Sequence, residues 1–191
     1  MSLNLQYLNW KIFLENPAEA EPEEWFKVFN DWIPDSPEVF LDVADYSHVS
    51  DGPVTVLVGH FLNLSLDATF RRRGLLLDYK QPMDGTNVDK LKSTLVSLLR
   101  AAKRLEAEPG IHHKPRFKAS ELHLIVNSRA LAPNSPETLE AARPDIVKVF
   151  SAAYGDGGFS LEHNADPRQR FQVTAVSKTP FTLDELLARL A

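Results

Sequence analysis

Residues 53–79 read PVTVLVGHFLNLSLDATFRRRGLLLDY. Val54, Val56, Val58, His60, Leu62, Leu64 and Leu66 alternate with Thr55, Gly59, Asn63, Ser65 and Asp67. That period of two is the mark of a half-buried strand, and Gly59 allows one long strand or two strands bent there. Read straight, it puts His60 on the Val56–Leu64 face as a core histidine. The pattern resumes at Leu75, Leu77 and Tyr79 after a turn near residues 68–72. A parallel crossover needs a dozen or more residues, so the neighbours are antiparallel.

Working outward, residues 39–43 form a short strand before an acid-rich loop. Residues 5–14 form another, stopped by Asn16-Pro17. Between them Pro22 suits a first helical position, with Glu23 and Glu24 in the first turn. Trp25, Phe26, Val28, Phe29, Trp32 and Ile33 follow at helical spacing until Pro34 and Pro37. After the sheet segment, Val88, Leu91, Leu95, Leu98, Leu99, Ala102 and Leu105 make one apolar stripe over 87–107. Thr86 and Asp89 supply a capping box there, and Pro109-Gly110 ends the helix.

A basic linker over 111–118 leads to a strand near 121–127. Ser135-Pro136-Glu137 starts a helix, which Pro144 should kink or restart because proline has no amide donor. Gly155, Gly157 and Gly158 turn the chain into a hairpin of 159–163 and 171–176. Thr182 with Glu185 caps a closing helix. The order β-α-β-β-β-α-β-α-β-β-α predicts an α+β fold, a mixed but mostly antiparallel sheet flanked by three to four helices. The expected unit is one compact domain over 1–191, with 109–117 as the one reasonable subdivision.

Composition narrows the function classes. Hydrophobic residues are 43% and charged residues 25%, enough for a core. A net charge of −5 makes nucleic acid an unlikely partner. The chain has no cysteine, which removes disulfides, thiolate metal sites and cysteine nucleophiles. No leader and no stretch of ~20 apolar residues is visible, so a cytoplasmic location without membrane contact is expected. Charge is uneven: residues 15–51 hold eleven acids against Lys27 alone, and 71–118 hold twelve Lys and Arg against five acids. Such halves could pair within the chain or between subunits.

The densest collection of functional groups is Asp42, Asp45, Tyr46, His48 and Asp51, followed by His60. Carboxylates and imidazoles are ligands for divalent metals, yet the spacing matches neither His-Glu-x-x-His nor a calcium loop. Asp45 also suits an aspartate turn. Arg71, Arg72 and Arg73 could grip phosphate or carboxylate, although a hairpin tip carries charge for solubility. His112-His113 lies among cations and reads as a solvated linker. The glycines at 155–158 follow a helix, so they stop it and do not cradle phosphate. Asn127, Ser128, Arg129 and Asn134 follow one strand, and Asn164, Asp166 and Arg168 follow another. The two sets could meet as a polar cluster, and Ser128 has no histidine and acid at a demonstrable spacing.

The strings LDVADYSHVSDGPVTVLVGH (41–60), NSRALAPNSPETLEAARPDI (127–146) and HNADPRQRF (163–171) resemble an uncharacterised bacterial protein family. The resemblance implies one compact unit and transfers no activity or cofactor. With no complete catalytic signature, the leading expectation is a binding or interaction domain, acting as a homodimer or on a protein partner. The alternative is a small-molecule or metal-dependent enzyme centred on Asp42–His60. The candidate binding residues are Asp45, Tyr46, His48, Asp51, His60, Arg129 and Asn164.

Overall fold

The computed structural model describes residues 3–17 and 21–191. Eight strands occur in it: β1 Leu8–Leu14, β2 Phe40–Asp45, β3 Pro53–Gly59, β4 Leu62–Asp67, β5 Gly74–Tyr79, β6 Phe117–Val126, β7 Phe159–His163 and β8 Phe171–Ser177. The four α-helices are α1 Pro22–Trp32, α2 Asn87–Ala107, α3 Pro136–Tyr154 and α4 Leu183–Leu190. The strands form one sheet in the order β2-β3-β4-β5-β1-β6-β8-β7, and every pairing is antiparallel. The α+β class and the mostly antiparallel sheet hold. β1 is bonded to β5 on one side and β6 on the other, across the segment 109–117.

Register decides which residues meet the helices. Trp10 is opposite both Leu77 and Leu124, Leu77 is opposite Leu64, and Leu124 is opposite Val173. These residues share one buried cluster with Trp25, Phe29, Leu95, Leu99, Phe150 and Leu186 of the helices. The helices therefore cover one face of the sheet. Trp10 anchors that layer, its indole donating to Thr94 Oγ1 at 2.9 Å and standing edge-on to Phe150. Burying a large side chain contributes roughly 1.5–3 kcal/mol.

Several expectations change. Of the two readings of 53–67 the two-strand one holds, with the break just after Gly59, and there the chain does not merely bend but reverses at His60-Phe61. The reversal shifts the alternation, so Leu57 pairs with Leu64 on the helix side. Val56 and Val58 instead face the opposite side, across from Ser65 and Asn63. His60 is exposed at the turn, its ring edge-on to Phe61, and is not a core histidine. Helix α3 does not restart at Pro144. Pro144 and Glu140 are both exposed, so water can satisfy the carbonyl that proline leaves unbonded. Phe117 and Lys118 belong to β6 and not to a linker. The capping boxes at Thr86/Asp89 and Thr182/Glu185 form as predicted.

Candidate functional site on the helix-free face

Among the described residues no α-helix covers the other face of the sheet, yet its middle is buried. Odd positions of β1 place Asn9, Lys11 and Phe13 there, flanked by Asp78 and Leu76 of β5 and by Ile125 and His123 of β6. Gln172 and Thr174 of β8 continue the row. Lys11 and Asp67 are only 2% and 1% exposed and form an ion pair at 2.5 Å. The ammonium also donates to Thr69 O at 3.2 Å. Asp67 accepts from the Thr69 amide at 3.1 Å and its hydroxyl at 2.8 Å. Burial pulls the Lys11 pKa below its usual value, against the opposing pull of Asp67. Such a pair costs desolvation energy that close geometry must offset, so stability alone is a weak reason for its presence.

His123 stands beside Lys11 in the sheet register. Its Nδ1 lies 2.7 Å from Thr174 Oγ1 and its Nε2 3.1 Å from Gln172 Oε1. With Nε2–H donating to Gln172, Nδ1 accepts from the Thr174 hydroxyl, and both ring nitrogens are engaged. Burial pushes its pKa down to about 4, and the charges of Lys11 and Arg72 add to the effect. The imidazole is therefore neutral at neutral pH.

The turn joining β4 to β5 forms the roof. Phe70 and Arg71 adopt φ of 61° and 56°, left-handed values uncommon outside glycine. Strain of this kind persists where surrounding contacts impose it. Asp51 imposes part of it by accepting from the Phe70 amide at 2.8 Å. The half-exposed Phe70 ring then lies edge-on to His123. Arg72 clasps Glu121 with two bonds of 2.6 and 3.0 Å while its guanidinium stacks 3.7 Å over Phe13. The bond from Arg72 holds the Glu121 carboxyl below its usual range. Arg72 thus forms one wall of the site while about half of its side chain stays open to solvent.

These groups enclose a cleft of about 110 Å³ lined by Lys11, Phe13, Phe70, Arg72, Arg170 and Thr174 among others. Arg170 donates to Asn127 at 3.1 Å. Nearby, burial raises the Asp78 pKa, with Arg170, Lys80 and the amides of Asn9 and Asn127 opposing the rise. Asn9 Oδ1 is buried without a hydrogen-bond partner among the described residues. A shallow extension beyond Arg72 is lined by Arg71 and Arg73.

The residues singled out from sequence are spread more widely. Asp45 accepts from the Ser47 amide at 2.8 Å in the expected aspartate turn, and that bond holds its carboxyl below the usual range. Tyr46 and His48 are exposed neighbours in the β2–β3 loop. Asp51 bonds the cleft's roof through the Phe70 amide, and the neighbouring Gly52 carbonyl accepts from the Ala68 amide at 2.8 Å. Asp42 pairs opposite Val58, near the His60 end of β3. Seven residues of strand, roughly 20 Å, separate that end from the loop. Among the described residues no group of three or more His, Asp or Glu is placed to hold a metal.

The second cluster does converge. Asn134 donates to Asn164 O at 2.6 Å and Asp166 O at 2.8 Å, and its Oδ1 meets His163 Nε2 at 2.9 Å. Asn134, not Arg129, is its centre, since Arg129 is exposed. Asn164 Oδ1 caps the Asp166 amide, and Ser128 Oγ accepts from the Leu131 amide at 3.4 Å. His112 and His113 are exposed, and Gly155 and Gly157 take positive φ at the helix stop. The unequal charge halves touch within the chain through Arg104–Asp35 and His112–Glu24.

Lys11, Asp67, His123 and Gln172 were not picked out from sequence. The available signal was polarity at period two inside apolar strands: Asn9 and Lys11 in LNWKIFL, and Glu121 and His123 in ELHLIV. Polar residues repeated at that period mark a second face with its own environment.

Comparison with known protein families, curated proteins and solved structures finds no match to this chain. No helix among the described residues is long and apolar enough to cross a membrane.

Proposed function

We propose that this protein is a binding module that holds a small organic anion in the cleft on the helix-free face. The observation that carries this reading is the composition of the cleft walls. Lys11, Arg72 and Arg170 line it beside Phe13 and Phe70, with Arg71 and Arg73 at its extension, in a chain of net charge −5. Asp67 and Glu121 offset two of those cations, leaving Arg71 and Arg170 as the cations best placed to meet a ligand. Rings and guanidinium planes together suit a flat molecule bearing carboxylate or phosphate. His123 is neutral with both nitrogens engaged, which favours holding over proton transfer.

Titration with phenyl phosphate, followed by backbone NMR, is the test. Shifts should centre on Lys11, Phe70 and Thr174, and Arg170→Gln should weaken binding roughly tenfold, the loss of one charge-assisted bond. Unchanged affinity in Arg170→Gln, or shifts confined elsewhere, would remove the reading.

A second reading, self-association, is favoured by the β2 edge. This strand has one bonded neighbour, and Val39, Leu41 (61% exposed) and Phe61 are exposed on or beside it. Unpaired apolar edges template strand addition. Sedimentation should find a dimer that Leu41→Lys dissociates; a wild-type monomer at the highest usable concentration ends this reading.

A further inference from the structure

On the helix side, a second cavity of about 160 Å³ opens between α2, the α1–β2 connection and the sheet. Its floor is Phe40, Leu62, Leu64 and Leu77, all buried, and Trp32 forms a wall. Its mouth carries Arg100 and Arg104, four residues apart and so on the same face of α2. Arg104 stacks 4.2 Å over Trp32, and its carboxylate partner Asp35 is 89% exposed. Such a pair contributes little and yields easily to a competing anion. The exposed side chain of Arg100 is in no ion pair or side-chain hydrogen bond among the described residues. Glu38 also lines the mouth, so the opening is not uniformly basic.

From this arrangement we infer a second ligand site, which takes an amphipathic carboxylate: an apolar group of about six carbons in the cavity and an anionic head at Arg100 and Arg104. Size sets the apolar part, because an apolar cavity of about 150 Å³ accepts a benzene ring. Charge sets the head. A neutral alcohol of the same shape would fill the floor and leave the two guanidinium groups without a new partner. The polar cleft on the opposite face has a polar floor and unrelated residues, so the two sites stand or fall separately.

The experiment is calorimetric titration of the full chain with 4-phenylbutyrate and with 4-phenylbutanol. The acid should bind at least roughly tenfold tighter than the alcohol, the scale of one charge-assisted hydrogen bond. Arg100→Gln/Arg104→Gln should erase that preference. Ser97→Leu, on the cavity wall in the middle of α2, should fill the space and abolish binding of both. Methyl NMR on the wild type keeps the test open if Ser97→Leu folds poorly, since the acid should shift Leu62 and Leu77. Equal affinity for acid and alcohol overturns the inference, as does binding that survives Ser97→Leu or leaves those methyls unmoved. Sedimentation showing that a second copy occupies the groove, released by Ser97→Leu, would overturn it too.

Discussion

Asp67→Ala should destabilise the protein by roughly 3–5 kcal/mol, the cost of leaving a buried charge without its partner. Lys11 is 2% exposed and cannot turn to solvent without disturbing β1 at the centre of the sheet. The same substitution removes both bonds that Asp67 accepts from Thr69, so the turn carrying Phe70 loosens as well. For a chain of this size, each kcal/mol moves the melting temperature by about 2–4 °C, so a fall of roughly 6–20 °C is expected. Lys11→Met combined with Asp67→Leu should recover most of that loss, since hydrophobic replacement of a buried pair is often neutral or stabilising. Thermal denaturation of the single and double variants decides the matter. A single variant within about 1 kcal/mol of wild type would mean that water reaches the pair.

Acidification should destabilise the fold through His123. Burial holds its pKa at about 4 in the folded state, against about 6.5 for an unperturbed histidine. Below pH ~6.5 the unfolded chain takes up a proton that the folded chain refuses. The stabilisation is therefore whole above that pH and is lost progressively as pH falls towards 4. At ~1.4 kcal/mol per pH unit the full loss is about 3 kcal/mol. Urea unfolding at pH 7 and at pH 4.5 should show a fall of roughly 2–3 kcal/mol in wild type beyond that in His123→Gln. Glutamine can still bond Thr174 and Gln172 without titrating, which isolates the imidazole. Parallel pH slopes in the two proteins would show that His123 protonates without penalty.

The two sites differ in how far they could be read from the chain. Phe70 and Arg72 fall in a turn whose local sequence stands out only for its arginines. Their function as roof and wall depends on Asp51, 19 residues away, and Glu121, 49 residues away. The Asp42–His60 collection was dense in sequence, but an extended strand carries its ends apart. Asp45 at the end of β2 and Tyr46 and His48 in the loop after it consequently sit together, and His60 sits at the far turn. The sequence offers the Asn134–Asn164 meeting because both segments follow strands, but the tertiary pairing of β6 with β8, which sets Val126 opposite Phe171, is what brings them together.

Helices and caps were decided locally. The stripe from Val88 to Leu105, the boxes at Thr86 and Thr182 and the glycine stop at 155 each act over a few residues. The antiparallel class likewise followed from the short connections in 53–79. What the sequence alone could not determine was strand neighbours and strand facing, since a one-residue shift exchanges the two faces of a strand. Tertiary pairing placed β1 between β5 and β6, and so set Lys11 against Asp67 and His123 over separations that no local pattern encodes. The amino-acid order determined which segments are strand or helix, because those preferences are short-range. Only the folded sheet decided that a buried polar row lies on the uncovered face, because that row is made of contacts between residues distant in the chain.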